Sequence, residues 1–505
     1  MITTFTLHPH QRSGSSVTFR WDVSPPSPLY RATSFTLRFP PTVDLGAIPD
    51  SLWPRIAFMC LHSHWVLLRP CRVELPFTLD AGEIEFWLRL MDTSVQTLEA
   101  YRGTEECARS VEFACHGPAL AGFTQMPDSP RCATAFSGGK DSLLQTGLLT
   151  ELTARPLLVT TTSPLPPLVD HLTARRRHVL ESITVRRDVT LVEVESDFRA
   201  SADNCFPLNV RGYPASLNEM TDTFLYFSSL VAVSVAAGVT HLFLAGEAEV
   251  SENIERSGRT VQHTHFMYST VTQRALAALL GPLGVRYGSL TAPLYSGQVQ
   301  ALLWTRYRDL RDLQYSCWNV PVGSAACSAC RQCLRIALGA LALGDRPARM
   351  GIELAPLLCR QRDWKPPAMN LDDPRALPTD LVRARISYQM ADNLRATSLA
   401  HVAKVIALDS PGEFLRARGW RALAGFRQLR RTALGHPADW HPGYRAGALA
   451  GLDPLLRDSV AAIYSQYFPA EPEAAYTPML RRSDTLAAWI AQPLEARRAC
   501  PVPLS

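Results

Sequence analysis

The chain has 505 residues, of which 47% are hydrophobic and 19% charged, with a formal net charge of +5. That composition excludes a disordered chain, and so small a net charge gives no global argument for a nucleic-acid partner. The length accommodates roughly three domains.

Residues 1–128 read as a β-rich accessory domain. "SVTFRWDV", "SFTLRF", "RVELPFTL" and "EIEFWLRL" alternate apolar and polar residues between Pro, Gly and Asp punctuation, which predicts a sandwich or barrel. No catalytic constellation stands out there. The first residues, "MITTFTLHPHQRSG", carry neither the basic flank nor the apolar run of a secretory signal, so a cytoplasmic protein is expected.

Residues 129–362 switch to strand–helix alternation. Cys132–Phe136, Leu157–Thr161, Thr190–Val194 and His241–Ala245 read as buried strands, with helices over Ser142–Leu152 and Thr223–Ala237. This pattern predicts an α/β fold whose parallel sheet is covered on both faces, with ligands at the carboxyl ends of its strands. The apolar run Leu225–Gly246 is broken by Gly238, Thr240 and His241, so it reads as helix, turn and strand rather than a membrane span. A Pro-rich linker, Asp363–Pro378, leads into residues 379–505, which read as mostly helical and Arg-rich around Arg416–Arg431.

The turn Ser137-Gly138-Gly139-Lys140-Asp141-Ser142 follows the first of those strands and opens a helix. Two glycines let backbone N–H groups approach an anion, and the helix N-terminus adds favourable potential, so a phosphate chain fits. The sequence is not the longer loop G-x-x-x-x-G-K-[ST]. Lysine is rare here, occurring only at Lys140, Lys365 and Lys404, which sets Lys140 apart from ordinary surface charge.

Cys317, Cys327, Cys330 and Cys333 are spaced C-x9-C-x2-C-x2-C. Four thiolates so close suit a closed tetrahedral Zn²⁺ site, with an iron–sulfur cluster as the rival. The other eight of the twelve cysteines, Cys60, Cys71, Cys107, Cys115, Cys132, Cys205, Cys359 and Cys500, are dispersed and expected to be packing residues.

"SGGKDS" resembles the PP-loop of the ATP pyrophosphatases. With the late cysteine quartet, flanked by "YSCWN" and "CSACRQCLR", and with "HLFLAGEAE" and "LTAPL" between, residues 130 to 350 resemble the 7-cyano-7-deazaguanine synthase (QueC) family. The resemblance implies an adenine-nucleotide alpha-hydrolase-like (HUP) sheet, with Ser137, Gly138, Gly139 and Ser142 cradling the pyrophosphate of ATP. It also implies Lys140 as a cation beside it and Asp141 as a holder of Mg²⁺. Gly246 and Glu247 occupy the family's strand end, and the four cysteines would hold Zn²⁺.

The implied reaction adenylates the carboxylate of 7-carboxy-7-deazaguanine, releases pyrophosphate and forms an amide. "SLNEMTDTFLYF", "ENIERSGRTVQHTHFMYST" and "YSGQVQ" stand where the family carries its base-reading and second-step segments, so an amide is expected in place of a nitrile. Enlarged relatives occur in antiviral operons, CBASS and Qat, which implies a protein acceptor docked by residues 1–128 and 379–505. Alternatives are free nitrile synthesis from ammonia, a PP-loop tRNA-modifying enzyme gripping phosphates with Arg416, Arg418, Arg421, Arg427, Arg430 and Arg431, and a nucleotide-binding module without turnover. Secondary candidates are Glu249, Glu252 and Glu255 beyond Glu247, the pair His263 and His265, and Asp222 near the adenine side.

Overall fold

Period-two burial builds the first strands. In β3 (Ser16–Ser24), Val17, Phe19 and Trp21 are buried while their neighbours face outward, which lets one sheet face cover a core. The computed structural model describes residues 2–27, 30–102, 110–119, 131–162, 169–201, 207–210, 213–251, 254–256, 259–261, 266–281, 284–314, 317, 325–365, 378–414, 417–434 and 443–471. β1 (Thr3–Leu7), β2 (Gln11–Ser13) and β4 (Ser34–Arg38) accompany β3. Then come α1 (Trp53–Cys60), α2 (His62–Val66), β5 (Cys71–Leu75), α3 (Ala81–Arg102) and β6 (Val111–Cys115).

The sandwich or barrel expected of this region does not form. β4 pairs antiparallel with a strand of the following region, β9 (Thr190–Ser196), through Leu37–Ser196 and Arg38–Glu195. The amino-terminal strands therefore extend one open sheet. "EIEFWLRL", read as a strand, lies in α3 instead. Asp80 Oδ1 accepts from the Glu83 N–H (2.8 Å) and Glu83 Oε2 from the Asp80 N–H (3.1 Å). That reciprocal cap starts a helix, and Trp87, Leu90, Met91 and Val95 then recur on its buried face.

The next region holds β7 (Cys132–Ala135), α4 (Lys140–Leu152), β8 (Leu157–Thr162), α5 (Val169–Arg186) and β9, then a hairpin of β10 (Pro207–Val210) and β11 (Tyr213–Ser216). α6 (Leu217–Ala236), β12 (His241–Phe243) and α7 (Ala248–Ser251) follow, then a second hairpin, β13 (Ile254–Arg256) and β14 (Arg259–Val261). α8 (Thr270–Leu280), β15 (Arg286–Gly288) and α9 (Ser296–Thr305) complete it. The span that could be mistaken for a membrane helix is α6, a left-handed Gly238 (φ +63°) and β12. Among the described residues no helix is long and apolar enough to cross a membrane.

The eleven-stranded sheet runs β15-β12-β7-β8-β9-β4-β3-β1-β5-β6, with β2 on β3. Most of its pairings are parallel, including all those from β15 to β9. Alternate residues feed two cores. Cys132, Leu158 and Phe243 join one with α4, α5 and α9, while Ala133, Leu157, Val159 and Leu242 join the other with α1, α3, α6 and α8.

The carboxyl-terminal part is helical: α10 (Arg331–Ala342), α11 (Leu354–Arg360), α12 (Pro378–Ala396), α13 (Leu399–Asp409), α14 (Pro411–Phe414), α15 (Ala417–Leu434) and α16 (Pro454–Ser465). Its residues continue the first core without a break, from Leu334 through Met390 and Phe426 to Tyr464.

Candidate functional site

After β7 the chain proceeds outward through β8 and β9 on one side, then returns to place β12 and β15 on the other. The carboxyl ends of β7 and β12 thus flank the point where strand order reverses, where open α/β sheets form a ligand crevice. Ser137–Ser142 leaves β7 at that point, and Gly246 and Glu247 follow β12.

The loop is braced from within. Gly138 has φ +77°, a conformation that costs a residue with a Cβ about 1–2 kcal/mol. Gly139 is the extended N-cap of α4, and no side chain caps that helix, so its first N–H groups are available to an anion. The Gly139 N–H donates to Ser137 Oγ (3.3 Å), Ser142 Oγ donates to the Gly139 carbonyl (3.1 Å), and the two serine hydroxyls lie 3.2 Å apart.

Lys140, the first residue of α4, is buried, and its ammonium is held by Asp141 Oδ1 (2.7 Å) and Glu247 Oε2. Burial would lower its pKa, but Asp141 and Glu247 outweigh burial and raise it. Burial and the neighbouring Glu247 push Asp141 up to about 6. Glu247 is itself opposed by burial but is held below its usual value by Lys140 and Arg335. Arg335, on α10 just behind the cysteine quartet, is a member of this cluster that the motifs did not assign.

The remaining walls come from β15 and the carboxyl-terminal helices. The Gly246 N–H donates to Ser289 Oγ (3.1 Å), and a Cβ at Gly246 would meet the Tyr268 ring at 2.6 Å. "LTAPL" is tied to α4 and β7, because Gln145 accepts from the Leu290 N–H (2.9 Å) and donates to Thr134 Oγ1 (2.7 Å). Glu249 accepts from the Ser296 N–H (2.9 and 3.0 Å) and from Gln389 Nε2 on α12 (2.7 Å). Burial and Glu247 push Glu249 up to about 7. Arg385 and Arg445 stand near it, each lowered to about 10 by burial. Gln389, Arg385 and Arg445 lie in residues 379–505, read as a mostly helical region that docks an acceptor protein, so motif reasoning missed them.

The cysteine quartet assembles. Sγ atoms lie 3.9 Å apart for Cys317–Cys330, 3.7 Å for Cys327–Cys333 and 3.6 Å for Cys330–Cys333, and all four fall within 4.8 Å of one another. Tetrahedral zinc with Zn–S bonds of about 2.3 Å requires S···S separations of about 3.8 Å, so the residues fit that metal. Peptide N–H groups point at the sulfurs: Cys327 N at Cys317 Sγ (3.5 Å), and Cys333 N at Cys330 Sγ (3.4 Å), which also caps α10. The turn between them places Ser328 at φ +49°, and its hydroxyl accepts from the Glu353 N–H (2.8 Å).

Of the dispersed cysteines, Cys60, Cys71 and Cys132 are buried, and Cys115 and Cys359 half-buried. Cys107, Cys205, Cys500, Glu252, His263, His265 and Arg416 lie outside the described residues, as do the side chains of Asp222 and Glu255. Compared with protein-family models, with curated proteins and with solved structures, the chain matches none.

Proposed function

We propose that the crevice binds ATP and uses it to adenylate an organic carboxylate, that of 7-carboxy-7-deazaguanine or a close analogue, and that an amine then takes the acyl group to form an amide. The observation that carries this reading is the position of Ser137–Ser142: a glycine loop opening an uncapped helix, at the reversal point of the sheet, facing Glu247. The loop amides would bind the departing pyrophosphate as its charge builds. Asp141 and Glu247 would hold Mg²⁺, which supplies charge neutralisation on the phosphate oxygens. The Lys140 ammonium that they hold would supply a further positive charge beside the phosphates.

The quartet would hold Zn²⁺ as a closed, structural centre that fixes α10 and with it Arg335. Holding nucleotide and carboxylate in one crevice makes their encounter unimolecular, potentially worth about 7–11 kcal/mol. A sheet extended by β1–β6 and a carboxyl-terminal helical layer exceed what an ammonia-using synthase needs, so the acceptor amine is proposed to belong to a protein, in antiviral defence.

The test is to supply enzyme, MgATP, 7-carboxy-7-deazaguanine, ammonia and the protein encoded by the neighbouring gene, and to analyse products. AMP and pyrophosphate, abolished by Asp141→Ala, are expected, along with a deazaguanine acyl mass on a protein encoded by a neighbouring gene. ADP and inorganic phosphate would reject the adenylation, and free amide alone would reject the protein acceptor.

A further inference from the structure

Glu247 leads into a helix too short to hold itself. α7 has four residues, and fixing a single turn costs more backbone freedom than its hydrogen bonds return, so its position must come from its surroundings. The Glu247 carbonyl accepts the Val250 N–H (3.2 Å) that closes this turn. Whatever fixes α7 therefore aims the carboxylate that meets Lys140.

Three segments fix it. The Ala248 N–H donates to the Leu294 carbonyl (2.8 Å). Arg445 donates to the Ala248 carbonyl (3.4 Å) and to Ser251 Oγ (3.3 Å). The closest hold is on Glu249, whose side chain is buried. Both its oxygens accept from the Ser296 N–H (2.9 and 3.0 Å), and Oε1 also accepts from Gln389 Nε2 (2.7 Å). Ser296 is the first residue of α9, so its N–H has no partner within that helix, and an acid is favoured beside it. Gln389 reaches this point from α12 by packing on Gly297, where a Cβ would press on its amide at 3.3 Å. α7 is thus clamped between the start of α9 and α12.

We propose that Glu249 and Gln389 are positioning residues for the nucleotide crevice. They clamp α7 so that Glu247 points at the loop Ser137–Ser142, and the helical layer thereby sets how tightly the crevice holds its ligand. This inference rests on reading the crevice as a site for MgATP. If Gln389 merely filled the space between α9 and α12, an apolar side chain of equal length would serve as well.

The test measures binding of a fluorescent ATP analogue, with Mg²⁺, to the full chain. Gln389→Met keeps the length and removes the donor. It should weaken binding roughly 10-fold, a loss typical of partners that orient a metal-ligating side chain. Glu249→Gln keeps the shape but sets an N–H against that of Ser296, and should act in the same direction; either variant suffices where the other is insoluble. The effect must pass through Glu247. In a Glu247→Gln chain, adding Gln389→Met should change the affinity by less than about 2-fold, because no carboxylate is left to misplace. Parental affinity in both variants, or the full loss repeated in the Glu247→Gln chain, would overturn the positioning role and leave the nucleotide reading standing. A parent chain that binds no nucleotide would overturn both.

Discussion

Buried titratable side chains meet two different fates in this molecule. Lys140 stays charged because two carboxylates reach its ammonium, offsetting both desolvation and the unfavourable potential of a helix N-terminus. His62 and His64, both on α2 and fully buried, have no carboxylate beside them among the described residues, and burial lowers each to about 3. His62 Nε2 lies 3.2 Å from Ser94 Oγ, a hydrogen bond between neutral groups, and His64 stacks on Tyr30 with ring centres 5.0 Å apart. Both are therefore neutral in the fold, whereas in the unfolded chain they protonate near 6.5. Stability contributed by keeping them neutral is complete above that value and is lost as pH falls toward about 3. Each histidine should remove about 1.4 kcal/mol of unfolding free energy per pH unit over that range. Urea unfolding at a series of pH values checks this. His64→Phe should make the acid limb shallower, and an unchanged limb would show that other groups set it.

At the level of elements, α10 depends on its first turn. Cys330 caps it, Cys333 lies inside it, and Cys317 and Cys327 arrive from the preceding chain. With metal bound, those four positions become one rigid corner beneath a helix whose Leu334, Ala337, Leu338 and Leu341 enter the main core. Chelation should release one zinc per chain and lower the unfolding temperature markedly, because binding free energy at such a site is folding free energy, on the order of 10 kcal/mol. Cys333→Ser should reproduce the effect, whereas a coloured protein containing iron would identify the rival cluster. The quartet was legible because its spacing is local.

For the same reason β7, β8, β9 and α4 were readable, each announcing itself within a dozen residues. α3 was misread because "EIEFWLRL" carries apolar residues at both two- and four-residue spacing, and only the Asp80–Glu83 cap separates the two readings. β15, three residues long, is too short to show a period. The β4–β9 joint was hidden because a two-residue pairing between positions so far apart in sequence leaves no local mark.

At the scale of the whole molecule, the question is whether the carboxyl-terminal helices are an attachment or a wall. Three hydrogen bonds argue for a wall: Gln389 to Glu249 (2.7 Å), the Arg445 N–H to the Pro293 carbonyl (2.8 Å), and Tyr464 to the Leu290 carbonyl. Each ends on the segment after β12 or β15 that bounds the crevice. The core reinforces them, because Met390, Leu394, Val402, Phe426, Val460 and Tyr464 pack into the same cluster as Leu143 and Leu303.

Removing residues 366–505 would uncover that cluster, and each large buried side chain contributes about 1.5–3 kcal/mol when covered. The six named above together contribute about 9–18 kcal/mol, as much as the whole stability of an ordinary domain, about 5–15 kcal/mol. The truncated chain should therefore fail to fold alone, giving insoluble protein or broad, non-cooperative thermal unfolding. Co-expressing residues 366–505 as a separate chain should restore a soluble complex, because the lost surface is complementary and only the connection is missing. A truncated protein that unfolds cooperatively and still releases pyrophosphate would show instead that the helical layer is a dispensable appendage.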